Sequence, residues 1–389
     1  MSVDDTVTAA SADEVVIVAD PPDRTLDGEL EDLEPIAPAP KAEPAPSRDL
    51  HPVLAAVGRW VVAVLGALVI FGAFMVMKGV NPLTAYADML TGTFGGSKSI
   101  GEILIRSAPI ILTALAVTVP AKAGLVNVGG EGQLVVGAIA AAGISLLFGD
   151  SLPGGVLLVL MPIGAAIAGG LWAALTAVLK LVSNINEAVT TLLLNYVAVA
   201  LLGFLIFDSW KDAEGSGQPA TKAIPVAQRL PLIGFGRVSA GIIVALVATG
   251  VVWAVLKYTS WGFRLRTVGG NPEAARRAGL RVGTLLVSAM FVGGMLAGLG
   301  GWVQLAGSEF KLRQGFGLTY GYVGFLASWL ARHRPIWVAV SALLLGAIAI
   351  GGDSLQLDSK LPAASVNILM AVVLLAVFGF TAKRKENVA

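Results

Sequence analysis

The chain is punctuated by apolar runs of about 20 residues, the length an α-helix needs to cross the roughly 30 Å hydrocarbon core of a bilayer. Ten such runs can be read, at 54–77, 103–120, 124–148, 154–179, 187–207, 238–256, 284–305, 317–331, 336–351 and 362–381. Composition agrees with that reading. Only 14% of residues are charged, against roughly a quarter in an ordinary soluble domain. The expected fold class is an all-α polytopic membrane protein of about ten transmembrane helices, some of them short and Gly-broken.

Charge is unevenly distributed. Residues 1–50 carry 13 of the 26 acids and three of the 27 bases, so a net charge of +1 divides into −10 and +11. This first segment, with "EPIAPAPKAEPAP", has no apolar periodicity and is expected to be a disordered, acidic, Pro/Ala-rich cytoplasmic tail. Its acidic start is unlike a signal peptide. A transmembrane domain over 51–382 and a basic cytoplasmic C-terminus at 383–389 complete the expected organisation.

Cysteine is absent, and the two histidines, His51 and His333, lie at the edges of expected spans. Disulfides, iron–sulfur clusters, thiolate zinc sites and cysteine nucleophiles are thereby excluded, and no catalytic or metal site is assigned. The sequence has no G-x-x-x-x-G-K-[ST] loop and no Gly-Lys dipeptide, so no ATP or other cofactor is expected on this chain.

Lys and Arg in short loops set the orientation. With the N-terminus inside, the cytoplasmic side holds fifteen bases near the spans and the opposite side ten; residues 257–283 alone hold six. Both termini are expected in the cytoplasm. Of the outer segments, 78–102 reads as a short interfacial helix ending in a Gly turn, and 208–237 as a polar Gly/Pro loop. Small residues four apart, as in Ala166, Gly170 and Ala174 or Gly293, Ala297 and Gly301, predict close helix packing.

Ionisable groups at mid-bilayer cost about 2.5–3.5 kcal/mol on insertion scales, so polar residues inside the apolar runs require a reason. One cluster is "GLVNVGGEGQ", Gly124 to Gln133. If all of it were loop, the third span would shrink to 134–148, so part of it is expected within the membrane. Gly-interrupted segments are pointers to discontinuous helices along a transport path. Glu131 can line that path or pair with Lys122. The other cluster is "NINEAVTTLLLNY", in which Glu187, Thr191 and Asn195 share one helix face. Asn186 and Glu187 can equally cap that helix at the cytoplasmic edge. The solute-path candidates are Asn127, Gly129, Gly130, Glu131, Gln133, Glu187, Thr191 and Asn195.

In the loop 257–283, Asn271 is a helix cap, Pro272 a first-turn residue and Glu273 a first-turn acid, and "EAARRAG" runs to a Gly stop. A short basic helix is expected there, lying on anionic lipid or docking a cytoplasmic protein.

"APIILTALAVTVPAKAGLVNVGGEGQLVVGAIAA", "NEAVTTLLLNY" and "VGGNPEAARRAGL", in this order, resemble blocks of the permease subunits of bacterial ABC importers for branched-chain amino acids, simple sugars and nucleosides. The resemblance spans about residues 54–381 and is strongest to the nucleoside-type permeases; the acidic tail departs from it. It implies a multi-pass subunit in a bacterial plasma membrane that forms a path for a small polar solute. It implies three partners besides lipid, and no nucleic acid: a cytoplasmic ATPase that uses the ATP, a second permease subunit, homologous or identical, and an extracytoplasmic solute-binding lipoprotein. "EAARRAG" resembles the coupling-helix motif, so Asn271, Glu273, Ala274, Ala275, Arg276, Arg277 and Gly279 become the ATPase contact. The rivals are a simple-sugar ABC permease and an ion-coupled carrier with Glu131 or Glu187 as coupling carboxylate.

Overall fold

The computed structural model describes residues 51–376, apart from 214, 216, 235, 359–361, 363, 366 and 374. The expected acidic tail and the basic C-terminus at 383–389 lie outside the described residues, as does the tenth run beyond 376. The helices are α1 (His51–Met77), α2 (Pro82–Phe94), α3 (Ser97–Lys122), α4 (Gly130–Phe148), α5 (Gly154–Ser183), α6 (Glu187–Phe207), α7 (Gly241–Tyr258), α8 (Ser260–Gly270), α9 (Pro272–Arg277), α10 (Val282–Gln304), α11 (Tyr320–Leu330) and α12 (Pro335–Asp358). Among the described residues, seven helices are long and apolar enough to cross a membrane. The number is eight if α1 and α2, bent by 115° at their break, form one span.

α3 is the central helix: 83% of its most apolar stretch is buried, whereas α6 and α7 are 33% buried and lie at the perimeter. α10 packs along α3, α4 and α5, and α11 and α12 close the other side of α3. α1 joins through a smaller cluster in which Phe71 and Met75 meet Ala85 of α2 and Leu355 of α12. The outer segment after α1 forms α2, started by Asn81, whose side chain accepts from Leu83 N, and ended at Gly95.

Two of the ten expected crossings are not continuous helices. The third run, 124–148, is helical only from Gly130. The eighth, 317–331, contains only the 11-residue α11, roughly 16 Å at 1.5 Å per residue and too short to cross alone. The chain before α11 ends a π-helical turn at Glu309, and Phe310, Gly315, Gly317 and Thr319 all take positive φ. This coil starts beside the 220–224 loop, where Thr221 N donates to Leu312 O and Ile224 N to Phe310 O. It ends halfway along α3, where Thr113 Oγ1 donates to Tyr320 O. Coil and half-helix together cover the length that one helix was expected to cover.

Between helices the contact is backbone to backbone. A Cβ on Gly169 would lie 2.5 Å from Gly294 O and 2.9 Å from Gly298 Cα, and one on Gly298 would collide with the Ala165 carbonyl. Ala165, Gly169 and Ala173 of α5 thus meet the α10 backbone, while Gly170 of the expected stripe accommodates the Phe291 and Met295 side chains of the same helix. Such contact supplies the packing that drives helix association in lipid. Gly298→Ala is expected to lower stability by about 1–3 kcal/mol, as overpacking does, measured by thermal unfolding in detergent; an unshifted midpoint would refute the close approach.

The α11–α12 corner is held by His333, whose Nδ1 lies 2.9 Å from Ser328 Oγ and whose ring meets Trp329 edge-on at 4.9 Å. Burial, and then the Lys122 charge, push the His333 ring down to about 4. An unfolded histidine takes its proton near pH 6.5. Between these values the unfolded chain binds the extra proton, so this contribution to stability is complete above about pH 6.5 and is lost as the pH falls towards about 4. Unfolding midpoints on either side of that window should diverge in the native protein and converge in His333→Gln.

Candidate functional site

α3 ends at Lys122, and Gly124, at φ +79°, turns the chain so that Leu125 N reaches back to Pro120 O. Residues 125–128 then run without helix back along α3 before α4 begins. Backbone groups at such depth need partners, because lipid offers none. α6 supplies them. Glu187 Oε1 accepts from Val126 N at 3.3 Å, and Thr191 Oγ1 from Val128 N at 3.2 Å. Asn195 donates to Val128 O at 3.1 Å and accepts from Gly132 N at 2.8 Å. The register has a simple cause: four helical residues advance about 6 Å, and two extended residues about 6.6 Å. Glu187 and Thr191, four apart on α6, thus meet the alternate residues 126 and 128, and Asn195 bridges Val128 to the first turn of α4.

The opposite side of the strand is held through α3. Pro120 has no N–H, so the Ala116 carbonyl four residues earlier is left open, and Asn127 Nδ2 donates to it at 3.1 Å. Asn127 also exchanges hydrogen bonds of 2.8 and 3.0 Å with Gln133 and accepts from Gly129 N at 3.0 Å. All six polar candidates, Asn127, Glu131, Gln133, Glu187, Thr191 and Asn195, are buried, at 6% exposure or less. Gly129 is crowded by Gln133 and Thr191, while a Cβ on Gly130 would meet Gly321 Cα at an ordinary 3.6 Å.

Both open readings of the carboxylates receive a partner. Glu131 accepts from Thr319 N at 2.9 Å, and Glu187 takes Lys180 Nζ at 2.5 Å. Asn186 caps α6 through Ala188 N and Val189 N. Lys122, one of the two partners open to Glu131, is not the one used: the bond joins the first turn of α4 to the residue that precedes α11. α4 and α11 begin side by side: Gly321 lies directly on the Glu131 backbone, and the Tyr322 phenol faces Asn195 and Glu131.

The short basic helix α9 is formed as its caps predict. Asn271 accepts from Glu273 N and Ala274 N, both at 3.0 Å, and Gly279, at φ +81°, follows α9. Glu273 pairs with Arg276 at 2.8 Å and Arg277 at 3.4 Å. Ala275 is buried, and Ala274, Glu273, Arg276, Arg277 and Gly279 are exposed. One residue before its end, α8 touches the broken segment: a Cβ on Gly269 would lie 3.1 Å from Gly124 N and would strike the Lys122 carbonyl.

Thr319, Gly321, Tyr322 and Gly269 were not singled out by sequence; "LTYGY" and "VGG" carry only weak turn signals. Two further residues stand out on α10: Gln304 Oε1 and Trp302 Nε1 are buried with no hydrogen-bond partner. Among the described residues no three His, Asp or Glu side chains gather as a metal site.

A helical bundle whose two interrupted spans meet at its centre has the architecture of a membrane transport protein. The family model for the permease component of the branched-chain amino acid transport system matches residues 99–378. The chain belongs to that family and is a permease subunit of an ABC importer. It is 35% identical over 334 residues to a glucose ABC transporter permease of Haloferax volcanii, covering 83% of this chain and 87% of the relative. It is 30% identical over 321 residues to a guanosine ABC transporter permease of Bacillus subtilis, covering 81% and 91%. A nucleoside ABC transporter permease of Lactococcus lactis is 28% identical over 322 residues, covering 80% and 88%.

If α6 braces the strand, Asn195→Leu strands Val128 O and Gly132 N and should cost about 1–3 kcal/mol per unsatisfied group. Glu131→Gln, which still offers an oxygen to Thr319 N, should unfold close to the parent temperature. Gly130→Ala should be tolerated and Gly321→Ala should not. Unfolding midpoints of the four variants check the set, and equal midpoints for the two glycine variants would contradict the abutting helix starts.

Proposed function

We propose that the path for a small polar solute, most simply a nucleoside, runs along the junction of the 124–133 segment with the first turn of α11. In this reading Gly129 and Gly130 form its wall, Asn127, Gln133, Glu187, Thr191 and Asn195 hold that wall in place, and Glu131 ties it to α11. The observation that carries the reading is the pair of broken spans meeting inside the bundle. Gln304 and Trp302, with open hydrogen-bonding atoms, are further candidates for solute contact. The guanosine and nucleoside relatives support a nucleoside; the glucose relative supports a simple sugar as the second reading.

Energy comes from ATP on a partner ATPase, with no cofactor on this chain. That ATPase grips α9 through Glu273, Ala274, Arg276 and Arg277, on the cytoplasmic side with both termini. A second permease chain completes the path, and an extracytoplasmic lipoprotein delivers the solute. The ten-pass topology then needs 310–330 as one crossing and 362–381 as the last.

Uptake of labelled guanosine, competed with excess unlabelled guanosine or glucose, separates the two solute readings. Uptake that persists in ATP-depleted vesicles under an ion gradient would sink ATP coupling. Gly269→Val is expected to keep the ATPase bound in a pull-down yet lose uptake, because its side chain would wedge open the contact between α8 and the start of the broken segment. Undiminished uptake would show that this contact transmits nothing.

A further inference from the structure

On the face of the molecule that carries α9, a cleft of about 490 Å³ opens between the ends of α7 and α12. Its lining includes four cations, Lys122, Lys257, Arg266 and Arg334, and two indoles, Trp253 and Trp337. Arg266 and Arg334 are within electrostatic range of the Lys122 ammonium. Lys257 Nζ stands 5.1 Å from the Trp253 ring centre and 5.0 Å from that of Tyr258. Arg266 donates to the Leu256 carbonyl, which fixes its side chain against α7. Among the described residues no carboxylate pairs with any of the four cations. Cations gathered in this way repel one another, and an anion relieves the repulsion.

The walls decide which anion. α7 and α12 pack against each other. Towards the bilayer centre they expose Leu246 at 48%, Val340 at 52% and Leu344 at 50%. Leu246 lies about three turns above Lys257 on one face of α7, and Val340 and Leu344 continue the face of Trp337 along α12. A polar, cationic cleft opening onto an apolar groove, with tryptophans at the boundary, matches a phospholipid in headgroup and chain alike.

We propose that this cleft binds the phosphate headgroup of an anionic phospholipid, whose acyl chains lie in the groove between α7 and α12. The position has a mechanical consequence. Lys122 precedes Gly124, and Arg266 precedes Gly269, so the two cations stand on either side of the contact between α8 and the broken segment. A bound phosphate neutralises repulsion across that contact.

The test compares phosphatidylglycerol and phosphatidylcholine retained by the purified full-length protein, read by native mass spectrometry and by lipid-dependent thermal stability. The expected result is selective retention of phosphatidylglycerol. Each cation removed should weaken it about fivefold, the equivalent of about 1 kcal/mol. Lys257→Gln combined with Arg334→Gln should therefore lose roughly 25-fold. Lys257→Arg with Arg334→Lys should retain the lipid, and Lys222→Gln, on the opposite face, should change nothing. The unfolding midpoint of the double variant in phosphatidylcholine, equal to that of the parent, shows that it is folded. Equal retention of both lipids, or retention unaffected by the double variant, overturns the proposal. Stabilisation by inorganic phosphate to the same degree as by phosphatidylglycerol makes the occupant a soluble anion and also overturns it. A photocrosslinker at Trp337 that captures a second permease chain in place of lipid has the same effect.

Discussion

A stretch of backbone that leaves the helix inside a bilayer must find every hydrogen bond from its neighbours, and most of the arrangement around residues 124–133 follows from that requirement. Three side chains on α6 and one on α3's side meet it. Glu187, Thr191 and Asn195 form a ladder whose spacing matches a strand. Asn127 fills the carbonyl that Pro120 leaves open on α3. None of these residues has a free choice of type. Glu187 must accept at the end that also faces Lys180, Thr191 must accept from Val128 N while donating to Ala188 O, and Asn195 must both donate and accept. A polar stripe on a helix at the perimeter of the bundle is therefore the complement of an irregular strand beside it.

The second interruption depends on the first. α11 can begin inside the bundle because the start of α4 is there to receive it, with Gly321 against the Glu131 backbone and Thr319 N on its carboxylate. Two helix starts brought together would leave their first N–H groups unsatisfied and their positive ends facing each other. Side chains take those N–H groups: Glu131 binds Thr319 N at the head of α11, and Asn127 and Asn195 take Gly129 N and Gly132 N at the start of α4. Glu131 thus has a partner that its own segment does not reveal.

The two interruptions differed in how legible they were. The first was visible because four glycines in ten residues conflict with an apolar run of crossing length, and because Asn127, Glu131 and Gln133 cannot face lipid. The second was hidden. "GFGLTYGYVGFLASWL" is apolar enough to count as a span, and its break lies in the positive φ of Gly315, Gly317 and Thr319, which composition does not disclose. Helix α9 was fully written in its caps, since Asn271, Pro272 and Gly279 act locally. Pairings between distant segments were not. Glu131 finding Thr319, 188 positions away, is a tertiary fact that the nearer Lys122 gave no hint of. The same limit applies to α5: small residues mark a close-packing helix, but only the partner shows that Gly169 meets the α10 backbone and Gly170 the α10 side chains.

These contacts also divide the molecule by stiffness. The α5–α10–α4 interfaces are backbone on backbone through Gly169, Gly294, Gly298 and Gly301, and such packing has no slack to deform by fractions of an ångström. The broken segment is held differently, by single hydrogen bonds whose donors and acceptors can exchange partners at small net cost. α9 adjoins α8, and α8 in turn lies against the start of the broken segment through Gly269 and Gly124. A strand stapled to α6 at alternate residues can shift register by one rung and re-form the ladder, whereas a continuous helix in the same place would have to break its own bonds to move. An interrupted span beside a polar stripe is thus easier to displace than a straight crossing of equal length.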